Sequence, residues 1–181
     1  MCKKLFIALL FMAMSITANA SVVIDFEELS SLGSSWGSLG SQEYITQGFR
    51  FTTDADSFDY ASFYGDNAIA LSVGDDFGSV QLQSNDNSAF DAIGISFISD
   101  IPLDLTINGT KSNLTTVQHN ITTSGNWITD EYVLVDFNDL LYMSWDCDPD
   151  LHFDNIIVPE PMSILTMLGV MLFIRSKSKK A

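Results

Sequence analysis

Positive charge is almost missing from the interior of this chain. Of its eight Lys and Arg residues only Arg50 and Lys111 lie between Ser21 and Ile157, against 22 Asp and Glu, a formal charge of −20 for that stretch. The whole-chain value of −15 conceals this, because the other six cations sit at the two ends. A body so acidic repels nucleic acid and anionic lipid headgroups. Nucleic acid is therefore excluded as a partner, and cations, divalent ones above all, are favoured. Cysteine is nearly absent too. Cys2 lies in an N-terminal segment expected to be removed and is not at its cleavage site, as a lipoprotein would need. Cys147 is left alone, so no intramolecular disulfide is expected. His119 and His152 are the only histidines, and neither has an evident paired nucleophile. No Gly-rich phosphate loop and no zinc spacing occurs. Cys147 stands among aspartates, which raise a thiol's pKa and dull it. The chain reads as no enzyme. A secreted polysaccharide hydrolase, which needs two carboxylates at a set separation, is kept as an alternative because acids are so plentiful.

What is present at the ends reads as an address. Lys3 and Lys4 precede an apolar run from Leu5 to Ile16, followed by Ala18-Asn19-Ala20. A charged start, a short apolar core and a small-x-small site make a secretory signal peptide over residues 1–20, cut after Ala20, with the Sec translocon as partner. At the other end Val158-Pro159-Glu160-Pro161 precedes a hydrophobic segment, 162–174, and a basic tail, 175–181, carrying Arg175, Lys177, Lys179 and Lys180. Its apolar run would span roughly 20 Å as a helix, short against a bilayer core of about 30 Å. The cations should stay cytoplasmic, and the two prolines stop the helix from extending backwards.

These three ordered parts resemble the PEP-CTERM sorting signal of Gram-negative bacteria. The resemblance implies recognition by an exosortase, transient anchoring in the inner membrane by the C-terminal helix, and export to the cell surface or the biofilm matrix. Two departures are mild: Met162, Met167 and Met171 stand where the family favours Leu, and Ser176 and Ser178 interrupt the basic end.

Between the addresses lie residues 21–157, enough for one domain with its own core. Helix signals are nearly absent. Short β-branched and aromatic runs recur between Gly, Asn, Asp and Ser clusters. Strands are expected at 22–26, 44–52, 57–64, 68–73, 79–83, 92–98, 103–107, 114–121, 127–135, 141–145 and 151–158. Ile93, Ile95 and Phe97 should share one face, and Leu103, Leu105 and Ile107 should point inward. Asn108-Gly109 marks a tight turn, and 30–41 a flexible Ser/Gly loop. The fold class is all-β, an antiparallel β-sandwich, with first and last strands close together. Asp25-Phe26-Glu27, Gly48-Phe49-Arg50-Phe51, Phe90-Asp91-Ala92-Ile93 and the run from Phe153 to Val158 look like the jelly-roll domains of PEP-CTERM proteins, which are similar to galactose-binding-like modules. That resemblance implies the fold and, more loosely, a calcium site or glycan binding, with exopolysaccharide as partner.

Two carboxylate groups are candidate calcium ligands. Asp146, Asp148 and Asp150 alternate at a strand end and should share a face. Three carboxylates that close repel one another without a cation between them, and calcium is hard and oxygen-seeking. Leu151 and Ile157 stand where an EF-hand needs Gly and Glu, so this is no EF-hand. Asp25 and Glu27 also share a face, and Asp154 is expected to meet them; the jelly-roll resemblance favours this second set. Trp127 and Trp145 read as core, and Trp36, in the Ser/Gly loop, as an exposed surface on which a sugar could stack. Asn108, Asn113 and Asn120 match the N-glycosylation pattern, read here as the Asn/Thr richness of polar strands. The reading is an exported, non-enzymatic surface or matrix protein. A calcium-dependent carbohydrate-binding module is the first alternative.

Overall fold

The computed structural model describes residues 21–32, 36–62, 69–74 and 77–159. Contacts divide the chain into two units. Of the unit made by 1–22 and 159–181, only Ser21, Val22 and Pro159 are described. The signal peptide with Ala18 and Ala20, the motif residues Glu160 and Pro161, the segment 162–174 and the basic residues Arg175, Lys177, Lys179 and Lys180 all lie outside the described residues. Among the described residues no helix is long and apolar enough to cross a membrane.

The other unit, Val23–Val158, is a sandwich of two antiparallel sheets. One sheet is built from β3 (Glu43–Thr46), β4 (Phe49–Thr53), β7 (Gly78–Ser84), β9 (Asp104–Lys111), β10 (Thr116–Thr122) and β12 (Leu140–Cys147), in the order β10-β9-β12-β7-β4-β3. The other has β2 (Trp36–Ser38), β5 (Phe58–Ser62), β6 (Ile69–Val73), β8 (Gly94–Ser99), β11 (Ile128–Val133) and β13 (Leu151–Pro159), in the order β11-β8-β13-β6-β5-β2. Strand β1 (Ser21–Ile24) joins it beside β13, so first and last strands are neighbours as expected. From β4 onward the chain passes repeatedly between the sheets. Their inner faces meet over aromatic rings: Phe51 stacks on Phe153 with centroids 5.8 Å apart, and Trp145 meets Phe153 edge-on at 5.0 Å. Such pairs add to the large apolar area each ring buries.

Several local expectations are corrected. The span 44–52 is two strands, not one. Gln47 and Gly48 both have positive φ, 48° and 85°, and close a two-residue hairpin of the kind whose twist matches its strands. Asn108-Gly109 is no turn, because β9 runs straight through it. A side chain at Gly109 would meet Leu140 and Val117 at 2.8 Å, so this glycine makes room for side chains of the two strands that flank it in the sheet. The chain reverses instead at 112–115, where the Asn113 carboxamide oxygen accepts from the Thr115 N–H and hydroxyl. The supposed loop 30–41 includes the end of a 3-10 helix (Glu27–Leu32) and the edge strand β2. Ile93 is exposed and precedes β8, whereas Ile95 and Phe97 are core. Leu105 and Ile107 point inward as expected, and Leu103 packs on the core.

Candidate functional site

Strict alternation gives the six-stranded sheet an apolar inner face and a polar outer one. Phe51, Leu82, Ile107, Met143 and Trp145 are buried inside. The residues between them point out, and the register aligns them across the sheet. One row runs Gln118, Asn108, Ser144, Gln81, Thr52 and Glu43 over all six strands. At about 4.8 Å per strand it is about 24 Å long. A second row holds Thr116, Thr110 and Tyr142, then Gln83, Arg50 and Ile45. A third holds Asn120 with Thr106, and Asp146 with Ser79.

The side chains in these rows orient one another. Gln118 Nε2 donates to Asn108 Oδ1 at 2.7 Å, and Thr106 Oγ1 donates to Asn120 Oδ1 at 2.9 Å. Among the described residues Asn108 Nδ2 and Gln118 Oε1 keep a donor and an acceptor facing outward without a protein partner. Each primary amide can give and take hydrogen bonds at once, which matches vicinal hydroxyl groups.

At one end the face runs into an acidic cleft of about 550 Å³ lined by Asp54, Asp104, Asp146, Asp148, Ser79 and the exposed ring of Phe77, among others. Two of these carboxylates already serve the fold: Asp54 Oδ1 accepts from the Ser79 N–H at 2.5 Å and Asp104 Oδ1 from the Thr122 hydroxyl at 2.7 Å.

The residues singled out in the sequence are placed as follows. Asp146 and Asp148 share the cleft wall, but Asp150 does not join them. The strand ends at Cys147, and Asp148 Oδ1 caps the next turn by accepting from the Asp150 N–H at 3.0 Å. Asp25 and Glu27 do not continue a strand face, because β1 stops at Ile24 and Glu27 opens the 3-10 helix. Both still raise the Asp154 carboxyl through their charge. Burial is the larger cause, and together they push it up to about 6 against the pull of a hydrogen bond from the Asn155 N–H. The two Asp154 oxygens accept from the Asn155 backbone N–H at 2.7 Å and its Nδ2 at 2.9 Å. Among the described residues no group of three His, Cys, Asp or Glu side chains is assembled as a metal cluster.

Trp36 is 75% exposed, on the edge strand β2. Trp145 is core, but Trp127 is 50% exposed, contrary to expectation. Gly125, Asn126 and Trp127 all have positive φ, which turns this tryptophan out of the sheet and brings its ring 5.8 Å from that of His152. Burial pushes the His152 imidazole down to about 4 and the Cys147 thiol up to about 12. The amide-bearing face was not picked out from the sequence. Its local signal is the polar alternation Ser79-Gln81-Gln83, Thr106-Asn108-Thr110 and Gln118-Asn120-Thr122.

No family model matches this chain, and no curated protein matches it. Among the solved structures similar to it are carbohydrate-binding modules. A mutant family 29 module is 15% identical, with 77% of this chain and 84% of that one covered and a TM-score of 0.46. A family 61 module solved with β-1,4-galactotriose is 9% identical, with 66% and 100% covered and a TM-score of 0.44. A family 29 module from Piromyces equi is 12% identical, with 68% and 88% covered and a TM-score of 0.38. At these identities and TM-scores the likenesses say nothing of what this chain binds.

Proposed function

We propose that this chain is an exported, non-catalytic β-sandwich that holds polysaccharide at the cell surface or in the extracellular matrix. Its binding surface is the outer face of the six-stranded sheet. The observation that carries this reading is the row Gln118, Asn108, Ser144, Gln81 and Thr52, in which amides and hydroxyls from five strands stand in register. A surface that only needed solubility would carry charge, as the rest of this body does. Here this row presents neutral groups that bond to hydroxyls in both directions, with Arg50 and Asp146 in the rows beside it. The buried thiol of Cys147 and the buried imidazole of His152 are not placed to act as an exposed nucleophile and base. Binding of the full-length chain to a glycan array tests the reading, with Gln81→Ala and Asn108→Ala as variants. Unchanged binding by both folded variants refutes it. Turnover of a polysaccharide, lost in Asp146→Asn, would establish the hydrolase in its place.

We further propose that export uses the signal peptide and the Sec translocon, and that an exosortase cuts the tail near Pro159-Glu160-Pro161. The support is the order of motif, apolar segment and basic end. Mass spectrometry of the exported protein reads both termini, and an intact tail on the mature protein removes this reading. The calcium-dependent form of the reading has in its favour the charges of Asp25 and Glu27 acting on Asp154. Against it, Asn155 occupies both Asp154 oxygens. Calorimetric titration with calcium decides, with Asp25→Asn and Glu27→Gln as controls.

A further inference from the structure

We propose that the polysaccharide taken by this face carries carboxylates, and that Arg50 is the residue that selects for them. The inference rests on the sheet-face reading and adds the class of sugar to it. Arg50 and Lys111 are the only cations of a body with 22 carboxylates. In such a body each would be expected to find an acid. Lys111 lies at a strand end, where its Nζ donates to Asn138 Oδ1 at 2.8 Å. Arg50 stands in mid-strand on the outer face, between the inward rings of Phe49 and Phe51, which fix where its stem leaves the sheet.

Among the described residues no carboxylate lies within ion-pair distance of Arg50. Its cross-strand neighbours are Gln83 on β7 and Ile45 on β3, neither of them acidic. With its amide oxygen turned towards the guanidinium, Gln83 accepts from Arg50 Nε at 3.1 Å and from Arg50 Nη2. A neutral amide steers the guanidinium without neutralising it. Gln83 takes the Nε–Nη2 edge, so the Nη1–Nη2 edge meets the ligand already oriented, and a carboxylate is the group that it grips through two parallel hydrogen bonds. Continuing the Met143–Leu82 register sets Tyr142 beside Gln83, which places a ring in the same row two strands from Arg50, about 10 Å across the sheet.

The net charge of the body opposes an anionic ligand, and distance decides the balance. Asp146 is paired with Ser79, four residues along β7 from Gln83. That is about 13 Å at 3.3 Å per residue, beyond a Debye length of about 8 Å at physiological salt. The acids of the cleft are therefore screened from Arg50; Glu43, diagonal to it on β3 at about 7–8 Å, is the nearest acid in these rows and makes no ion pair with it.

Affinity electrophoresis of the full-length chain tests this. Three gels contain polygalacturonate, its fully methyl-esterified form, or a neutral β-glucan, with EDTA throughout. Retardation by polygalacturonate should be at least tenfold stronger than by the ester. Arg50→Gln should bring the two to the same level, and Arg50→Lys should keep part of the difference, both variants melting like the wild type. Equal retardation by acid and ester, or an Arg50→Gln variant that still distinguishes them, overturns the uronate inference and leaves the sheet-face reading standing. No retardation in any of the three gels overturns both.

Discussion

His152 and Asp154 alternate on β13, opposite Ile98 and Ser96 of β8, and both are buried, at 8% and 3% exposure. Burial drives their titrations apart from the unfolded values in opposite directions. His152 falls from 6.5 to about 4, and Asp154 rises from 3.8 to about 6. Between about pH 4 and 6.5 the unfolded chain holds a proton on His152 that the folded chain lacks, so this residue makes stability rise with pH. Between about pH 4 and 6 the folded chain holds a proton on Asp154 that the unfolded chain lacks, so this residue makes stability fall with pH. At about 1.4 kcal/mol per pKa unit, each effect is worth about 3 kcal/mol. The windows nearly coincide, and in the wild type the two slopes offset each other. Single substitutions should unmask them. Relative to wild type, His152→Gln should lose about 3 kcal/mol as pH rises from 4 to 6.5, and Asp154→Asn should gain about 3 kcal/mol from pH 4 to 6. Urea unfolding of the protein at half-unit pH intervals measures both difference profiles. Two flat difference profiles, or two of the same sign, refute the reasoning.

Other substitutions probe the packing behind the polar face. Gly109→Ala drives a methyl group against Leu140 and Val117, each 2.8 Å away, and should cost about 1–3 kcal/mol in urea unfolding. Gly48→Ala meets no neighbour but must hold a φ of 85°, so it should cost about 1 kcal/mol through the backbone alone, read as a lower melting temperature. Phe153→Ala removes the ring that Phe26, Phe51 and Trp145 surround and should cost about 3–5 kcal/mol. Its circular dichroism at low denaturant shows whether the sandwich survives.

The two-layer architecture was legible because period-two alternation is a local property that each strand states for itself. Ile107 between Thr106 and Asn108, or Leu82 between Gln81 and Gln83, carries its own inside and outside. Errors arose where a distant contact decided a local matter. Tyr44, Thr46, Phe49 and Phe51 all turn inward, so at the Gln47-Gly48 hairpin the pattern shows only a one-residue shift of phase. Asn108-Gly109 has the composition of a turn, yet Leu140 and Val117 need that glycine as a place to approach. Trp127 has the bulk of a core residue, but three consecutive positive φ values carry it outward. The polar face was visible strand by strand and invisible as a row. What lines up Asn108, Ser144 and Gln81 is the pairing of β9, β12 and β7, strands far apart along the chain.

The thiol of Cys147 is fully enclosed and points to the Leu151 carbonyl oxygen, 3.3 Å away. Under oxidising conditions that enclosure keeps two copies of the chain from linking through Cys147 while they stay folded. It also turns the residue into an internal clock. Each opening of the sandwich exposes this sulfur, so the rate at which a thiol reagent labels Cys147 in the native protein counts those openings directly.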